Sequence, residues 1–454
     1  SMPDRAGDAP SSTALRTDRY ELTMLDAARA DGTIDRPCTF EVFARRLPAG
    51  RRFGVFAGLG RLLERLAAFR FALDEQSWLA AEQIVGPDTL AWLADWRFSG
   101  HVHAYREGEP FFPGSPVLTV TAPFGQAVVL ETLLLSVLNH DSAVASAAAR
   151  MVAAAGDRPL TEFGSRRTHE DAAVAAARAT HVAGFASTSN LEAGRRFGVP
   201  TSGTVAHAFL LLHDDETEAF VSQLRTAGEA TTLLVDTHDV DDGVRHAIDA
   251  VQRAGLRGLD AIRIDSGDLA AHARDARRQL DAAGLTDTRI VVSGDLDEHA
   301  IARLAHAPID GYGVGTSVVT GSGAPTAEFV YKLVARAGDD GRWRDVAKAG
   351  GVKATIGGRK HAWRQLHAGV ATTELLRTHT DTGPPTDARA LQVPVIDRGE
   401  VVHEPSLDDI RAHHRRAMAE LPAGALDLHD GEPAIPTRYD IPAEPSPPGA
   451  TRER

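Results

Sequence analysis

Two glycine-bearing loops carry the first chemical signal in the sequence. Gly313-Val314-Gly315-Thr316-Ser317 follows the run Ile309-Asp310-Gly311-Tyr312, and Ser293-Gly294-Asp295 follows Arg289-Ile290-Val291-Val292. Glycines at strand ends let backbone N–H groups approach a phosphate closely. Each loop alone reads as an ordinary turn; as neighbours they favour phosphate binding. Arg166, Arg167 and Arg263 fall at the ends of similar runs, in a chain with 49 basic and 62 acidic side chains. An arginine on a rim usually makes a surface ion pair of roughly 0–1 kcal/mol. Several converging on phosphate loops suit an anionic ligand instead. Arg167 is the weaker candidate of the three, because adjacent strand residues point to opposite faces. Asp236, Asp265, Asp268 and Asp295 also stand at strand ends. Their carboxylates suit Mg²⁺ carried on a diphosphate, or a positively charged transition state, while helix capping is the plainer role and fits Asp268. His207 closes Gly203-Thr204-Val205-Ala206-His207, either as a satisfied polar residue or as an acid–base or nucleophilic catalyst.

Such residues need a scaffold that gathers strand ends. Between Thr161 and Phe209 lie three apolar runs with polar endings: Pro159–Phe163 before Gly164–Arg167, His181–Phe185 before Ser187–Asn190, and Pro200–Val205 before Ala206–Phe209. Helix formers over Glu170–Thr180 and Leu191–Phe197 separate them. Further strands are predicted at Thr231–Val235, Leu259–Ile262, Arg289–Val292 and Ile309–Tyr312, with helices over 241–254 and 269–283. A repeat of about 20 to 30 residues suits successive βα units. The fold class is therefore α/β, with an irregular α/β barrel of about seven strands that binds its ligand at their C-terminal ends. A doubly wound open sheet is the alternative.

Outside the barrel, a helix capped by Thr17 or Asp18 carries Leu22 and Leu25 on one face. Strands are expected at Thr39–Phe43, Gly100–Tyr105 and Pro116–Val120. Helices are expected over Phe56–Phe69 and Ala127–Ala148. Phe329–Val334 reads as a two-faced strand, and the segment from Thr382 is Pro-rich. The expected organisation is a disordered 1–14, a mixed α+β domain over 15–125, the barrel over 126–327, a C-terminal segment over 328–445 packing with the N-terminal domain, and a disordered 446–454.

Composition excludes several function classes. At 454 residues the chain suffices for two or three domains. Its net charge of −13 argues against nucleic acid and anionic membranes as main partners. One cysteine, Cys38, leaves no internal disulfide or cysteine-rich zinc site and fits a cytosolic protein. No run is expected to reach the roughly 20 apolar residues of a membrane span, and no signal-peptide pattern opens the chain.

Six short motifs together resemble the nicotinate phosphoribosyltransferase family over roughly 15–365. They are Thr17-Asp18-Arg19-Tyr20-Glu21-Leu22-Thr23-Met24; Glu162-Phe163-Gly164-Ser165-Arg166-Arg167; Gly184-Phe185 with Thr188-Ser189-Asn190; Gly203-Thr204-Val205-Ala206-His207; Ile262-Arg263-Ile264-Asp265-Ser266-Gly267-Asp268-Leu269; and Gly313-Val314-Gly315-Thr316-Ser317-Val318-Val319-Thr320. The resemblance implies a type II phosphoribosyltransferase fold and a homodimer with active sites at the subunit interface. It implies that nicotinate and phosphoribosyl diphosphate (PRPP) become nicotinate mononucleotide and diphosphate with Mg²⁺. ATP hydrolysis would be coupled through a phosphohistidine at His207. Phe163, and Tyr20 from the partner, would sandwich the pyridine ring, with Arg263, Thr204 and Arg166 around nicotinate and ribose. Asp236 would support His207 or the reacting ribose, with Asp265 beside it, and Ser293, Gly294, Gly315 and Thr316 would hold phosphate.

Some positions depart from the family pattern. Ala208 replaces a frequent serine, Gly294 a usual asparagine, and Gly357-Gly358 a usual Pro-Gly; the four-cysteine zinc site of some relatives is absent. Three other readings compete. Nicotinamide-using relatives place an aspartate where this chain has Ser189, which favours the acid as substrate here. Quinolinate phosphoribosyltransferases share the fold but are shorter. A barrel that binds phosphorylated metabolites without catalysis would have no need of His207, Asp236 and Arg263.

Overall fold

The computed structural model describes residues 12–348, 355–378 and 383–441. Of the ends expected to be disordered, 1–11 and 446–454 lie outside these residues, whereas Thr13 and Ala14 are buried and Thr13 donates to the Ala68 and Arg65 carbonyls at 3.2 and 2.7 Å.

The barrel-like half is built on a parallel sheet of six strands. In spatial order these are Ser187–Thr188, Leu160–Glu162, Gly311–Val314, Arg289–Val292, Ala261–Ile264 and Thr232–Leu234. Along the chain the strands run round this sheet in turn, and the last, Gly311–Val314, returns to pair with the first. That circular order is the order of a barrel. Among the described residues the ring is not hydrogen-bonded between Thr201, which makes a single bridge to Thr188, and Thr232–Leu234. Strands here read as near-continuous apolar runs because both faces are covered. Ile262, Ile264, Ile290, Val292 and Val314 are fully buried. Three return helices begin on an aspartate whose carboxylate accepts an N–H three residues on: Asp239 from Asp242 at 3.0 Å, Asp268 from Ala271 at 3.0 Å, and Asp297 from Ala300 at 2.7 Å. Such caps contribute about 1 kcal/mol each.

Two of the expected seven strands are corrected. His181 and Val182 end the helix Glu170–Val182 rather than begin a strand. The turn after it uses Gly184 at φ +117, and only Ser187–Thr188 joins the sheet. Alanine is the best helix former, so the Ala-rich helix runs on through the apolar residues that follow it. Pro200–Val205 contributes only the bridge at Thr201; a proline brings no N–H to a ladder.

The second half centres on an antiparallel seven-stranded sheet. Pro37–Ala44 is flanked by Phe329–Ala337 and Leu118–Pro123, and His101–Tyr105 pairs with Gln392–Asp397. Segments from both ends of the chain therefore share one sheet. The Pro-rich stretch after Thr382, read without elements, holds a strand at Thr437–Asp440 and the helix Leu407–Ala419. Ser406 starts this helix, exchanging hydrogen bonds with Asp409.

One helix belongs to both halves. Glu131–Ala155 places Leu133, Leu134, Val137 and Leu138 in the core under the antiparallel sheet, and Val144, Ala148 and Met151 in the core of the parallel-sheet half. Contrary to expectation, the stretch Phe124–Ala155 is long and apolar enough to cross a membrane. Its burial accounts for that composition, since 67% of its most apolar window is covered by protein. Its charged residues are paired inside: Asp141 accepts from Arg61 at 2.9 Å, and Arg150 lies 3.3 Å from Glu298.

Candidate active site

The C-terminal ends of the parallel strands open into one cavity of about 980 Å³, a size suited to metabolites. Phe163 follows the strand Leu160–Glu162 and rests against Gly313, where a Cβ would come within 2.3 Å of its ring. Glycine at 313 is thus required for the aromatic wall. The guanidinium of Arg263 stands 5.6 Å from the centre of the Phe163 ring, within cation–π range. Its Nη2 donates to the Val205 carbonyl at 3.2 Å, while its Nε is buried without a partner. Burial pulls the Arg263 guanidinium below its ordinary pKa, against the pull of Asp265 and Asp236. Arginine stays charged all the same. The wall therefore offers a desolvated cation with a donor to spare.

His207 opens the helix His207–Leu211. Its Nδ1 lies 3.0 Å from Thr237 Oγ1, and its Nε2 lies 4.0 Å from both Asp236 Oδ1 and Asp265 Oδ2. Asp236 is buried beneath. Its Oδ2 accepts from the Asp265 N–H at 3.0 Å and from Ser266 Oγ at 2.6 Å, while Oδ1 is buried with no partner. A buried acceptor left unmet costs about 1–3 kcal/mol, which a cation facing it would relieve. Ser293 donates its hydroxyl to Asp265. Gly294 has φ +118, and a Cβ there would meet the Asp265 carbonyl at 2.9 Å. Gly315 precedes the short helix Thr316–Val319, and both Gly315 and Thr316 line the cavity.

Arg166 and Arg167 both line the cavity. They lie on and just after a 3₁₀ turn, Gly164–Arg166, so the strand alternation that set Arg167 aside does not apply. Three side chains fix this turn. Buried Glu162 accepts from Thr188 Oγ1 at 2.5 Å and from the Gly164 N–H, and burial raises its carboxyl pKa. Asn190 donates to Ser165 Oγ at 3.0 Å and caps the helix Leu191–Phe197. Thr204 and Ser189 also face the cavity, whereas Asp268 caps its helix there. Among the described residues no group of three or more His, Cys, Asp or Glu side chains could hold a metal ion.

Comparison with known proteins identifies the family. Residues 15–139 match the family described as nicotinate phosphoribosyltransferase N-terminal domain, and 144–323 match that of quinolinate phosphoribosyl transferase, C-terminal domain. The chain is 54% identical over 448 residues to the nicotinate phosphoribosyltransferase pncB1 of Mycobacterium tuberculosis, covering 96% of this chain and 97% of that protein. It is 40% identical to the nicotinate phosphoribosyltransferase of Bacillus subtilis, over 80% of this chain and 75% of the other. The crystal structure of human nicotinic acid phosphoribosyltransferase superposes with a TM-score of 0.81 at 26% identity, over 94% of this chain and 97% of that one. The chain belongs to the nicotinate phosphoribosyltransferase family.

Within a single chain, one residue singled out from the family motifs stands apart. Tyr20 lies on the helix Arg19–Asp31, is 47% exposed and does not line the cavity. Burial, and then the charge of nearby Glu131, push its hydroxyl pKa up. The sequence reading missed the supporting roles of Glu162, Asn190 and Thr237. It also missed Arg303, a cavity residue at the end of the helix Glu298–Arg303. Polar residues within the motif segments were a usable signal for Glu162 and Asn190, and the strand end at Asp236 for Thr237. Nothing distinguishes Arg303 in sequence from any arginine on a helix surface.

Proposed function

We propose that this chain joins nicotinate to PRPP, giving nicotinate mononucleotide and diphosphate for NAD biosynthesis. The observation that carries the reading is the pairing of Phe163 with Arg263: an aromatic wall, and beside it a half-buried guanidinium whose buried Nε has no partner. A pyridine ring can pack on the first while its carboxylate takes the second. The pyridine nitrogen brings its own lone pair, so no base has to deprotonate it. Its bond to the ribose carbon forms as the bond to diphosphate breaks, and the electron pair leaves with the diphosphate. The protein's task is to orient the reactants and offset charge growing on the ribose. Asp265 and Asp236 supply negative charge there, and Thr204 and Arg166 flank the ribose. Backbone N–H groups at Gly294, Gly315 and Thr316 receive phosphate, with Ser293 braced on Asp265. Mg²⁺ fits as an ion carried on the diphosphate, with Asp265 and Asp295 as the carboxylates at hand, where it would neutralise the leaving group.

His207 is the group for ATP coupling. Its imidazole takes the terminal phosphoryl of ATP, ADP leaves, and the phosphoryl later passes to water. Its place between Thr237 and two carboxylates supports this role. The unit would be a cytoplasmic homodimer in which Tyr20 of one copy reaches the cavity of the other. Exposed Tyr20, and exposed Leu211 and Leu212 just after His207, support a shared site. The test is mass detection of nicotinate mononucleotide from nicotinate and PRPP, with and without ATP. His207→Ala should abolish ATP stimulation yet leave slow, ATP-independent synthesis. Undiminished stimulation would remove the phosphohistidine, and no product from the wild type would remove the whole reading.

A further inference from the structure

Away from the barrel mouth, two adjoining cavities lie between the halves. One, of about 430 Å³, is walled by Leu59, Leu63, Phe197, Leu407 and Ile410. The other, of about 580 Å³, is walled by Arg106, His403, His413 and Arg416. Glu107, His403, Pro405 and Ile410 belong to both walls, so the two spaces abut.

Most of the charged groups in these walls already have partners. Glu107 is fully committed: Arg178 Nη2 donates to it at 3.0 Å, and the N–H groups of Gly58 and Gly60 at 2.7 and 3.1 Å. Asp409 accepts from the Ser406 hydroxyl at 2.7 Å as part of a helix cap. In the apolar cavity Glu64 is paired with Arg196 at 3.1 Å, and Glu404 is exposed. His413 is bonded to Glu109 at 2.7 Å. Burial and the neighbouring Arg106 hold His403 below its ordinary pKa, leaving it a neutral hydrogen-bonding group. Arg106 and Arg416 are exposed, and no hydrogen bond or ion pair engages either guanidinium among the described residues. Two free arginines and a neutral histidine thus face one space, in a chain whose net charge is −13. Guanidinium pairs suit the several oxygens of a phosphate, and the neighbouring space has the apolar lining typical of a ligand's body.

We propose that these joined cavities form a second small-molecule site for an organic phosphate, its phosphate held by Arg106 and Arg416 and its body lodged beside Phe197 and Ile410. Nothing in the phosphoribosyl transfer uses these residues.

AMP is a suitable probe, with adenosine and inorganic phosphate as its two halves. Calorimetry on the full chain should show AMP binding that falls at least tenfold in Arg106→Ala/Arg416→Ala. Both side chains are exposed, so the variant should fold, and its kcat/KM for nicotinate without AMP should match the wild type. Crystals soaked with AMP should show density spanning the two cavities. The proposal is overturned if AMP gives no binding at millimolar concentration, if the double variant binds it undiminished, or if density appears only among the barrel loops. Adenosine or phosphate binding as tightly as AMP would equally overturn it.

Discussion

Two arginines, the fully buried Arg364 and the half-buried Arg263, show how the molecule separates structure from chemistry. Arg364 is fully enclosed where the N-terminal and C-terminal segments meet. It gives Nη1 to Glu109 at 2.7 Å, Nη2 to Glu374 at 2.6 Å and to the Pro110 carbonyl at 2.8 Å, and Nε to Glu374 at 3.1 Å. Its carboxylate partners are satisfied in turn. Glu374 accepts from the Tyr105 and Ser115 hydroxyls, both at 2.6 Å, and Glu109 also takes Arg389 and His413. Arg263 is half-buried, makes one hydrogen bond, to the Val205 carbonyl, and leaves its buried Nε unmet. Burying charge costs several kcal/mol unless partners repay it. Where every donor is met, the charge locks a joint. Where a donor is left over inside a cavity, a ligand can complete it.

The largest expected effect comes from breaking the closed cluster. Arg364→Met leaves Glu109 and Glu374 buried short of a cation, which should cost about 3–5 kcal/mol. Urea unfolding should show a lower midpoint at unchanged slope; a shift worth under about 1 kcal/mol would mean that the cluster is not what holds the joint.

The same cluster gives a pH signature. Despite burial, Arg364, His413 and Arg389 hold the Glu109 carboxyl at about 2, against 4.5 ordinarily. A folded pKa that is depressed contributes stability above the unfolded value, and that stability is lost as pH falls through the folded one. Unfolding free energy should therefore decline between about pH 4.5 and 2, and Glu109→Gln should flatten that limb. An acid limb of the same slope in the variant would transfer the effect to other carboxylates, such as Glu107 or Asp141.

Opening the comparison from the other side, Arg263→Gln should lower kcat/KM for nicotinate about 10- to 100-fold, since a charge-assisted hydrogen bond contributes roughly 1.5–3 kcal/mol. Its urea midpoint should hardly move, because the native residue makes few internal bonds. A large loss of stability with unchanged kinetics would reverse the roles assigned to the two arginines.

Sequence made the open site far more legible than the closed cluster. Strand-end polar residues between 231 and 320 follow from local periodicity and glycine spacing, and the strands at Arg289–Val292 and Ala261–Ile264 appear within a few residues of their expected bounds. Glu109 and Arg364 are 255 positions apart, and no local pattern pairs them. Likewise the strand Gln392–Asp397 takes its place in the sheet by pairing with the distant His101–Tyr105, and neighbouring prolines disguise it. Where the barrel reading slipped, at His181–Phe185, an apolar run could serve helix end or strand equally, and helix propensity decided it.

The smallest expected effect marks the third regime, an ion pair in water at the end of the strands remote from the cavity. Asp260 and Arg289 precede and open adjacent strands and meet side-on, Nε to Oδ1 at 3.2 Å and Nη2 to Oδ2 at 2.7 Å. Their side chains are 39% and 46% exposed. Water and salt screen such a pair, which contributes about 0.2–1 kcal/mol even with good fork geometry. Asp260→Asn keeps one acceptor for the guanidinium and removes the charge. It should lower stability by less than about 1 kcal/mol, by less again in 1 M salt where the Debye length is about 3 Å, with kcat/KM for nicotinate unchanged. A loss approaching that of Arg364→Met would show that exposure, rather than the count of satisfied donors, has been misjudged as the quantity separating these arginines.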